Sequence, residues 1–498
     1  MNRNNPIYQN RSHRLIDICL QCKNGWKVEK GNCIPKSTGP KWYKDSIQDK
    51  YIILALNEYC PTAKQIPEPT LITACCDVLK LLKFSVENFK AFAGKVELDF
   101  FANGNIKRLD YNYINAGDKN ILKTAGFYGP NNTGKTCILL SLISLRSLML
   151  NEPHDNFANS FAGTGDVTTF DVEYFVNGRY YNYFVSYNSK TRKYEKEKLI
   201  KKEYNGTSSS STQIFERSNS RLTWAGITPE LKKPNVARLF SFSFPFMILF
   251  DDSDNTIINQ AKADYKQFAE SIVFLQMDAP MDISKTIGLM QNDPKATKFI
   301  KEFVKNCDLH ISDFGFDENV ISDTNIEEEL KKIANNPAFI KETLKFYSKH
   351  NGYRVPSVFF DSVGTQKLIA LSGYVYESLS QGKVLIVDEI DSSLHHILTK
   401  AIVAMFNNIL NSKSQLLFTT HDVLLLDLKE MFRKDQIWLV DVLNESSSKI
   451  TRLSEFTSRS ENGIRGDEDI TDYYLKGQFG SIPTPDLFAS LEGAVSDE

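Results

Sequence analysis

The chain contains one stretch whose glycines, lysine and threonine are spaced for holding phosphate groups. Residues 126–136 read GFYGPNNTGKT, and residues 129–136 match the phosphate-loop pattern G-x-x-x-x-G-K-[ST]. Glycines let backbone N–H groups turn inward around phosphate oxygens, and a helix that begins at the loop adds partial positive charge. An apolar stretch precedes the loop and a helix-like run follows it, which is the context that the motif requires. The sequence therefore predicts a phosphate-binding loop.

The side chains of this loop have distinct expected roles. Lys135 would neutralise the β- and γ-phosphates of a nucleotide, and Thr136 would give a hydroxyl ligand to Mg²⁺. Asn132 stands where many such loops have glycine, and asparagine tolerates a left-handed backbone better than most residues. The expected nucleotide contacts from the loop are Gly129, Asn131, Asn132, Thr133, Gly134, Lys135 and Thr136.

Two acidic residues end an apolar run further along the chain. Residues 383–389 read KVLIVDE, which is typical of a buried strand that ends at Asp388 and Glu389. An aspartate at a strand end could hold Mg²⁺ through its water shell, and the next carboxylate could orient and deprotonate an attacking water. Taken alone, a strand that runs into a solvated turn explains the same residues about as well.

Two further motifs lie where an anion could be bound. His421 follows the apolar run SQLLFTT, so it could hydrogen-bond a γ-phosphate, although an ordinary loop histidine is the simpler interpretation in isolation. Ser362 and Gly364 begin a helix-like segment, where hydroxyl and backbone donors suit an anion. A simple helix N-cap explains Ser362 equally well.

Hydrophobic periodicity predicts the elements that must position these residues. The runs KVLIVDE, SQLLFTTHD and QIWLVDV alternate with helix-like segments, which is typical of a parallel α/β sheet. Residues 81–100 alternate apolar and polar side chains on both sides of a turn, which predicts two strands. Residues 169–187 predict a second hairpin with a tight turn at Asn177 and Gly178. We expect these hairpins to form an antiparallel layer beside the nucleotide site.

The remaining segments differ in texture. Residues 264–350 show apolar residues at three- and four-residue spacing, above all in 299–307 and 325–350, which predicts a helical insertion. Residues 1–80 are an appendage with little periodicity, in which Cys19, Cys22, Cys33 and Cys60 could bind zinc; free thiols are favoured because a second close pair is missing. The predicted division is an appendage at 1–80, a first head part at 81–263, the insertion at 264–350 and a second head part at 351–498.

Composition limits the choice of partners. The formal net charge of -2 gives no overall attraction to nucleic acid. The lysines of residues 189–204 are interleaved with glutamates, so a solvated hairpin or helix face is favoured over a DNA contact. No apolar run reaches the about 18 residues of a membrane span, and the N-terminus lacks the apolar core of a secretory signal. We therefore expect a cytoplasmic protein without a membrane segment.

The motifs GPNNTGKT, DSVGTQKL, VLIVDEIDSSLH and TTHD resemble, in kind and order, those of ABC-type ATPase heads in the branch of SMC, RecF and OLD-family proteins. The resemblance covers most of residues 81–498 and is strongest with predicted ATPases of bacterial abortive-infection and anti-phage modules, which share a segment like DYYLKGQFGSIP. It implies an α/β fold class, a P-loop ABC-type ATPase head with a flanking antiparallel β layer and a helical insertion. It also implies ATP and Mg²⁺ as cofactors.

The resemblance further implies a dimer in which two ATP molecules are enclosed between subunits. Ser362, Gly364 and Gln366 would contact the ATP of the partner, and residues 391–395 would form the D-loop across the interface. Glu389 and His421 would serve hydrolysis, and Thr136 and Asp388 would serve the metal. Lys90 stands where arginine is usual and lacks its planar fork. Either Gln267 or Gln276 could be the glutamine of the family's glutamine loop.

Two functions remain open at this stage. The first is an ATP-hydrolysing dimeric switch that senses phage infection and controls a separate effector such as a nuclease or toxin. The tail after His421 has no acidic cluster convincing enough for a metal nuclease of its own. The alternative is a RecF-like or SMC-like ATPase of DNA repair or chromosomes. A transport ATPase is disfavoured by motif spacing, and Glu389 argues against a scaffold that binds ATP without hydrolysing it.

Overall fold

The structure is a computed structural model of the 498-residue chain. It describes residues 26–29, 32–35, 79–154, 157–205, 208–218, 221–224, 241–250, 256–278, 283–307, 309, 311–316, 346–350, 352–456 and 470–480. The zinc prediction for Cys19, Cys22, Cys33 and Cys60 falls outside the residues whose side chains are described. Within the described residues, no helix is both long enough and apolar enough to cross a bilayer.

Strands and helices are numbered in chain order. The strands are β1 Trp26–Glu29, β2 Asn32–Pro35, β3 Lys80–Glu87, β4 Val96–Asp99, β5 Tyr113–Ala116, β6 Lys119–Leu122, β7 Thr124–Tyr128, β8 Val167–Val176, β9 Arg179–Asn188, β10 Lys193–Asn205, β11 Ser208–Ser218, β12 Arg221–Trp224, β13 Ile272–Gln276, β14 Asp313–Phe316, β15 Phe346–His350, β16 Tyr353–Pro356, β17 Val384–Asp388, β18 Gln415–Thr419, β19 Ile437–Asn444 and β20 Ser447–Arg452. The helices are α1 Lys135–Leu150, α2 Phe246–Leu249, α3 Thr256–Ser271, α4 Ser284–Asn292, α5 Pro294–Asn306, α6 Ser357–Phe360, α7 Val363–Gln381, α8 His396–Asn407 and α9 Ile470–Leu475.

A six-stranded sheet with the order β13-β17-β18-β7-β19-β20 forms the centre of the molecule. Its neighbours run parallel except for the antiparallel pair β19 and β20. Every residue of β7, β17 and β18 is buried, as expected for strands covered on both faces. Along β17 the side chains alternate between two cores, because Val384 and Ile386 face the core that contains α1 whereas Leu385 and Val387 face that of α7 and α8. The predicted parallel sheet is confirmed.

A seven-stranded antiparallel sheet with the order β12-β11-β10-β9-β8-β3-β4 covers the α1 side of this core. Both predicted hairpins are present, and the turn between β8 and β9 has Asn177 at φ 49° and Gly178 at φ 77°. Positive φ at both positions is the requirement of a type I′ turn, which explains the Asn-Gly pair. The lysine-rich segment forms the hairpin strand β10, in which Glu197 is fully buried.

The described residues of the insertion include strands as well as helices. Ile272–Gln276 form β13, which joins the central sheet beside β17. Phe346–His350 form β15, paired on both sides in a three-stranded antiparallel sheet, where we expected the end of a helix. A short apolar run is compatible with a helix or with a strand. Here its pairing with β14 and β16 stabilises a strand. The helix predicted at 299–307 is present as α5, whereas residues 325–345 lie outside the described residues.

Candidate functional site

The phosphate loop lies between the end of β7 and the start of α1. A Cβ atom at position 129 would overlap the carbonyl oxygen of Val440, so the close approach of β19 requires glycine there. Gly134 has φ 99°, and a Cβ atom there would come within 3.0 Å of the Cβ of Ala91. Asn132 has φ 62°, the left-handed conformation that asparagine tolerates. The loop is therefore closely packed on two sides, against the backbone of Val440 and the side chain of Ala91.

Lys135 lies over this loop and donates hydrogen bonds to its carbonyls. Its Nζ is 2.8 Å from the oxygen of Gly129 and 2.6 Å from the oxygen of Pro130. Burial lowers the pKa of Lys135 to about 8, against the opposing effect of the nearby carboxylates of Glu389 and Asp388. The lysine is therefore mostly charged at neutral pH, and a bound anion would stabilise that charged form.

Asp388 is the centre of a hydrogen-bond network at the carboxyl end of the central strands. It is only 2% exposed, and its Oδ1 accepts from the hydroxyl of Thr136 at 3.2 Å and from that of Thr419 at 2.5 Å. Thr419 in turn accepts from the backbone N–H of Glu389 at 2.7 Å. The sequence motifs assign no role to Thr419, although its hydroxyl at the end of a buried strand is a signal for one.

Glu389 and His421 lie next to each other beyond this network. The Nε2 of His421 is 4.0 Å from the Oε1 of Glu389, and their side chains are 38% and 36% exposed. Desolvation raises the pKa of Glu389, and the carboxylates of Asp278, Asp388 and Asp391 raise it further. Desolvation and Lys135 lower the pKa of His421, so its neutral form is favoured near neutral pH. Glu389 has φ 51°, a left-handed conformation that turns the chain directly after β17.

The structure separates the two glutamines that the sequence left equivalent. Gln276 ends β13 directly opposite Asp388, and the next backbone N–H, that of Met277, donates to the oxygen of Asp388 at 3.0 Å. Gln267 lies on α3, where its side chain accepts from the amide of Asn177 at 2.8 Å. Only Gln276 therefore lies at the end of the sheet that carries the acidic pair.

The signature motif forms the start of α7. Ser362 is its N-cap, with Oγ accepting from the N–H of Thr365 at 3.2 Å. A Cβ atom on Gly364 would come within 2.6 Å of the oxygen of Ser393 in the D-loop. Gln366 donates to the backbone oxygen of Asp361 at 3.0 Å. The described contacts of this motif thus join it to the D-loop of its own chain, and Ser362 remains exposed.

The turn between β3 and β4, which contains Lys90, packs on the phosphate loop. Ala91 contacts the position of Gly134, and its oxygen accepts from the N–H of Ser448 at 2.8 Å. Lys90 has φ 41°, and its oxygen accepts from the amide of Asn159 at 2.7 Å. The turn therefore contacts the loop through the side chain of Ala91, and its backbone is held by Ser448 and Asn159.

Comparison with known proteins gives a family and a set of similar structures. The family model described as "AAA domain, putative AbiEii toxin, Type IV TA system" matches residues 125–427. No curated protein matches the chain. A search of solved structures finds an SMC head domain from Thermotoga maritima, at 12% identity and a TM-score of 0.36, covering 75% of this chain and 98% of that one.

Two further solved structures are similar. One is an SmcHead bound to the C-winged helix domain of ScpA, at 15% identity and a TM-score of 0.35, covering 74% of this chain and 97% of that one. The other is an Smc head domain with an extended coiled coil bound to the C-terminal domain of ScpA, derived from Pyrococcus furiosus, at 14% identity and a TM-score of 0.34. That match covers 76% of this chain and 97% of the other.

Proposed function

The chain belongs to the AAA-domain family described as putative AbiEii toxin, Type IV TA system, and we propose that it is an ATP-hydrolysing dimeric switch of anti-phage defence. In this proposal two copies enclose ATP and Mg²⁺, and the cycle of hydrolysis controls a separate effector, a nuclease or a toxin. The observation that carries the ATPase activity is the network of Thr136, Asp388, Thr419 and Glu389 at the end of the parallel strands.

The donor set of this network suits the expected metal. Thr136 and Asp388 offer only oxygen atoms, which Mg²⁺ prefers, and they would hold it together with ATP phosphate oxygens. When bound, Mg²⁺ would neutralise charge that develops on the β- and γ-phosphates. Thr419 fixes the orientation of the Asp388 carboxylate through its hydroxyl, and it also fixes the backbone of Glu389.

Glu389 is the proposed general base for the attacking water. Its raised pKa brings its basicity closer to neutral pH, where a carboxylate accepts a proton more effectively. His421 lies at 4.0 Å from it and, in its neutral form, can donate one hydrogen bond to a phosphate oxygen. Lys135 would release the carbonyls of Gly129 and Pro130 and bind phosphate oxygens instead. Gln276 would sense the same phosphate from the neighbouring strand.

A second copy would complete this site with Ser362, Gly364, Gln366 and the D-loop. Three large apolar side chains in or near these motifs are exposed: Val363 in the signature, Ile397 after the D-loop and Leu424 after His421 are 62%, 58% and 63% exposed. Such side chains suit a face that a second copy covers. Burial of these residues against a partner would add to the energy of ATP-driven dimerisation.

The test is Mg²⁺-dependent ATP hydrolysis by the purified chain, measured beside Lys135→Ala. We expect turnover by the wild type, very weak ATP binding by the variant in calorimetry, and an ATP-dependent dimer by light scattering only for the wild type. Equal ATP affinity of the two proteins would contradict the assignment of the loop. Hydrolysis without an ATP-dependent dimer would contradict the shared site.

The defence role is tested separately from the chemistry. Cells that carry the chain with its native neighbouring genes should resist phage, and Lys135→Ala should remove that resistance. Duplex DNA should leave the ATPase rate unchanged. Strong stimulation by DNA that disappears with added salt would instead favour the repair or chromosome function, because phosphate contacts are salt-dependent.

A further inference from the structure

Lys367 is a buried lysine on the helix α7, and its charged group contacts two serine hydroxyls. It is 6% exposed, and its Nζ lies 3.2 Å from the Oγ of Ser393 and 3.4 Å from the Oγ of Ser392. Among the described residues, no carboxylate lies within ion-pair distance of it. Burying a charged group costs several kcal/mol, so lysines are rarely buried unless they are paired. Two hydrogen bonds to serine hydroxyls offset only part of that desolvation cost.

The two serines belong to the D-loop, and each of them also contacts another site element through its backbone. The backbone N–H of Ser392 donates to the oxygen of Glu389 at 2.8 Å, so the D-loop turn begins at the proposed base. Ser393 has φ 64°, and its oxygen packs against Gly364 so closely that a Cβ atom there would lie 2.6 Å away. Lys367, in the second turn of α7, therefore links that helix to a strained turn that continues from Glu389.

We infer that Lys367 is a positioning residue of the composite ATPase site: it fixes the D-loop to the signature helix, so that both reach the partner's ATP as one unit. The inference rests on the proposed function. Misplacement of such elements by about 1 Å can lower a rate by about 10²-fold.

The chemistry of lysine fits this task. An ammonium group has three donors that rotate freely about the side chain, so it can serve two hydroxyls that lie on adjacent residues. The planar fork of arginine is larger and has a fixed geometry, so it is less suited to two hydroxyls on adjacent residues. The Lys367→Met variant keeps most of the side-chain volume and removes the charge together with the donors.

The first experiment compares Lys367→Met with the double variant Ser392→Ala/Ser393→Ala. Each should lower turnover by about 10- to 100-fold while ATP affinity stays within about twofold of the wild type. The triple variant should be no slower than the slower of the two, because all three residues act through one contact. Additive losses would overturn the inference. Lys383→Met, which loses an ion pair with Glu377 at the opposite end of α7, should keep wild-type turnover.

The second experiment tests the role across the dimer. Lys367→Met is mixed with Lys135→Ala. In a mixed dimer, one site combines the intact phosphate loop of the Lys367→Met subunit with the intact signature and D-loop of the Lys135→Ala subunit, and the other site carries both changes. We expect the mixture to hydrolyse ATP several-fold faster than either variant alone. A mixture no faster than its components would overturn the inference, since it would mean that Lys367 supports only its own chain. Failure of the wild type to hydrolyse ATP would contradict the proposed function itself.

Discussion

The parallel sheet and the antiparallel sheet both bury charged residues, but they do so in opposite ways. In the parallel sheet the charges lie at strand ends, where Asp388 is buried while Glu389 and His421 stay 36% and 38% exposed. In the antiparallel sheet Glu197 and Arg217 lie within β10 and β11, and both side chains are fully buried. The charges at the strand ends therefore form a site that a ligand can reach, whereas the charges in the middle of the strands form a pair that no ligand can reach.

The closed pair is satisfied from several directions. Arg217 forms an ion pair with Glu197 and donates to the backbone oxygens of Ser241 at 3.0 Å and Phe244 at 2.7 Å. Glu197 also accepts from the hydroxyl of Tyr183 at 2.9 Å. These contacts tie the sheet to the segment before α2, so the pair organises structure. The open site keeps its acceptors available for a substrate.

The sharpest test of the contrast is Glu389→Gln. Turnover should fall by about 10²- to 10⁴-fold, the usual share of a general base, while ATP still binds and promotes a stable dimer. The melting temperature should change little, because the side chain is partly exposed. Single-turnover hydrolysis and light scattering measure the two effects. Turnover near that of the wild type would remove Glu389 from the role of base.

Arg217→Met should show the reverse pattern. It leaves the Glu197 charge buried without its partner, which we expect to cost about 3–5 kcal/mol of unfolding free energy. Turnover per folded molecule should remain that of the wild type. Urea unfolding provides the measurement, and Glu197→Gln/Arg217→Met should recover part of the loss. A large loss of turnover without destabilisation would contradict a purely structural role for this buried pair.

Thr419→Val is expected to affect both properties, because Thr419 is buried within the sheet and bonded to two site residues. Loss of its hydroxyl leaves the N–H of Glu389 without that acceptor and Asp388 without one donor, at a cost of about 1–3 kcal/mol in stability. Misorientation of the carboxylate should lower activity by about 10- to 100-fold. Thr420→Val, on the next residue, is the control. Equal effects of the two variants would contradict the role of Thr419 in orienting Asp388 and Glu389.

The smallest expected effect is the pH dependence of ATP binding. Lys135 has a pKa of about 8 in the free protein, and bound phosphate should raise it, so binding takes up a proton once the pH exceeds about 8. Affinity should therefore be constant below that pH and should fall by up to about tenfold per pH unit above it. Calorimetry at pH 9 in two buffers of different ionisation enthalpy measures the uptake. Lys135→Arg should bind without this dependence.

The sequence predicted what depends on neighbouring residues and missed what depends on pairing between distant ones. The phosphate loop, the strand before Asp388 and the turn at Asn177 are local patterns, and each is present in the structure. The place of β13 beside β17 is a pairing across a long insertion, so neither it nor the location of Gln276 could be inferred from periodicity. The contacts of Lys367 could not be inferred for the same reason, whereas Thr419 had a local signal at its strand end and only its partners were out of reach.

The left-handed backbone at Glu389 has a consequence for how this protein can change over time. A side chain in that conformation costs about 1–2 kcal/mol, and glycine would adopt it almost freely. A population selected only for folding would therefore drift towards glycine at position 389 and gain stability while it lost the carboxylate. Under the proposed role of Glu389, selection for catalysis opposes that drift, and copies that no longer need the reaction should lose glutamate early.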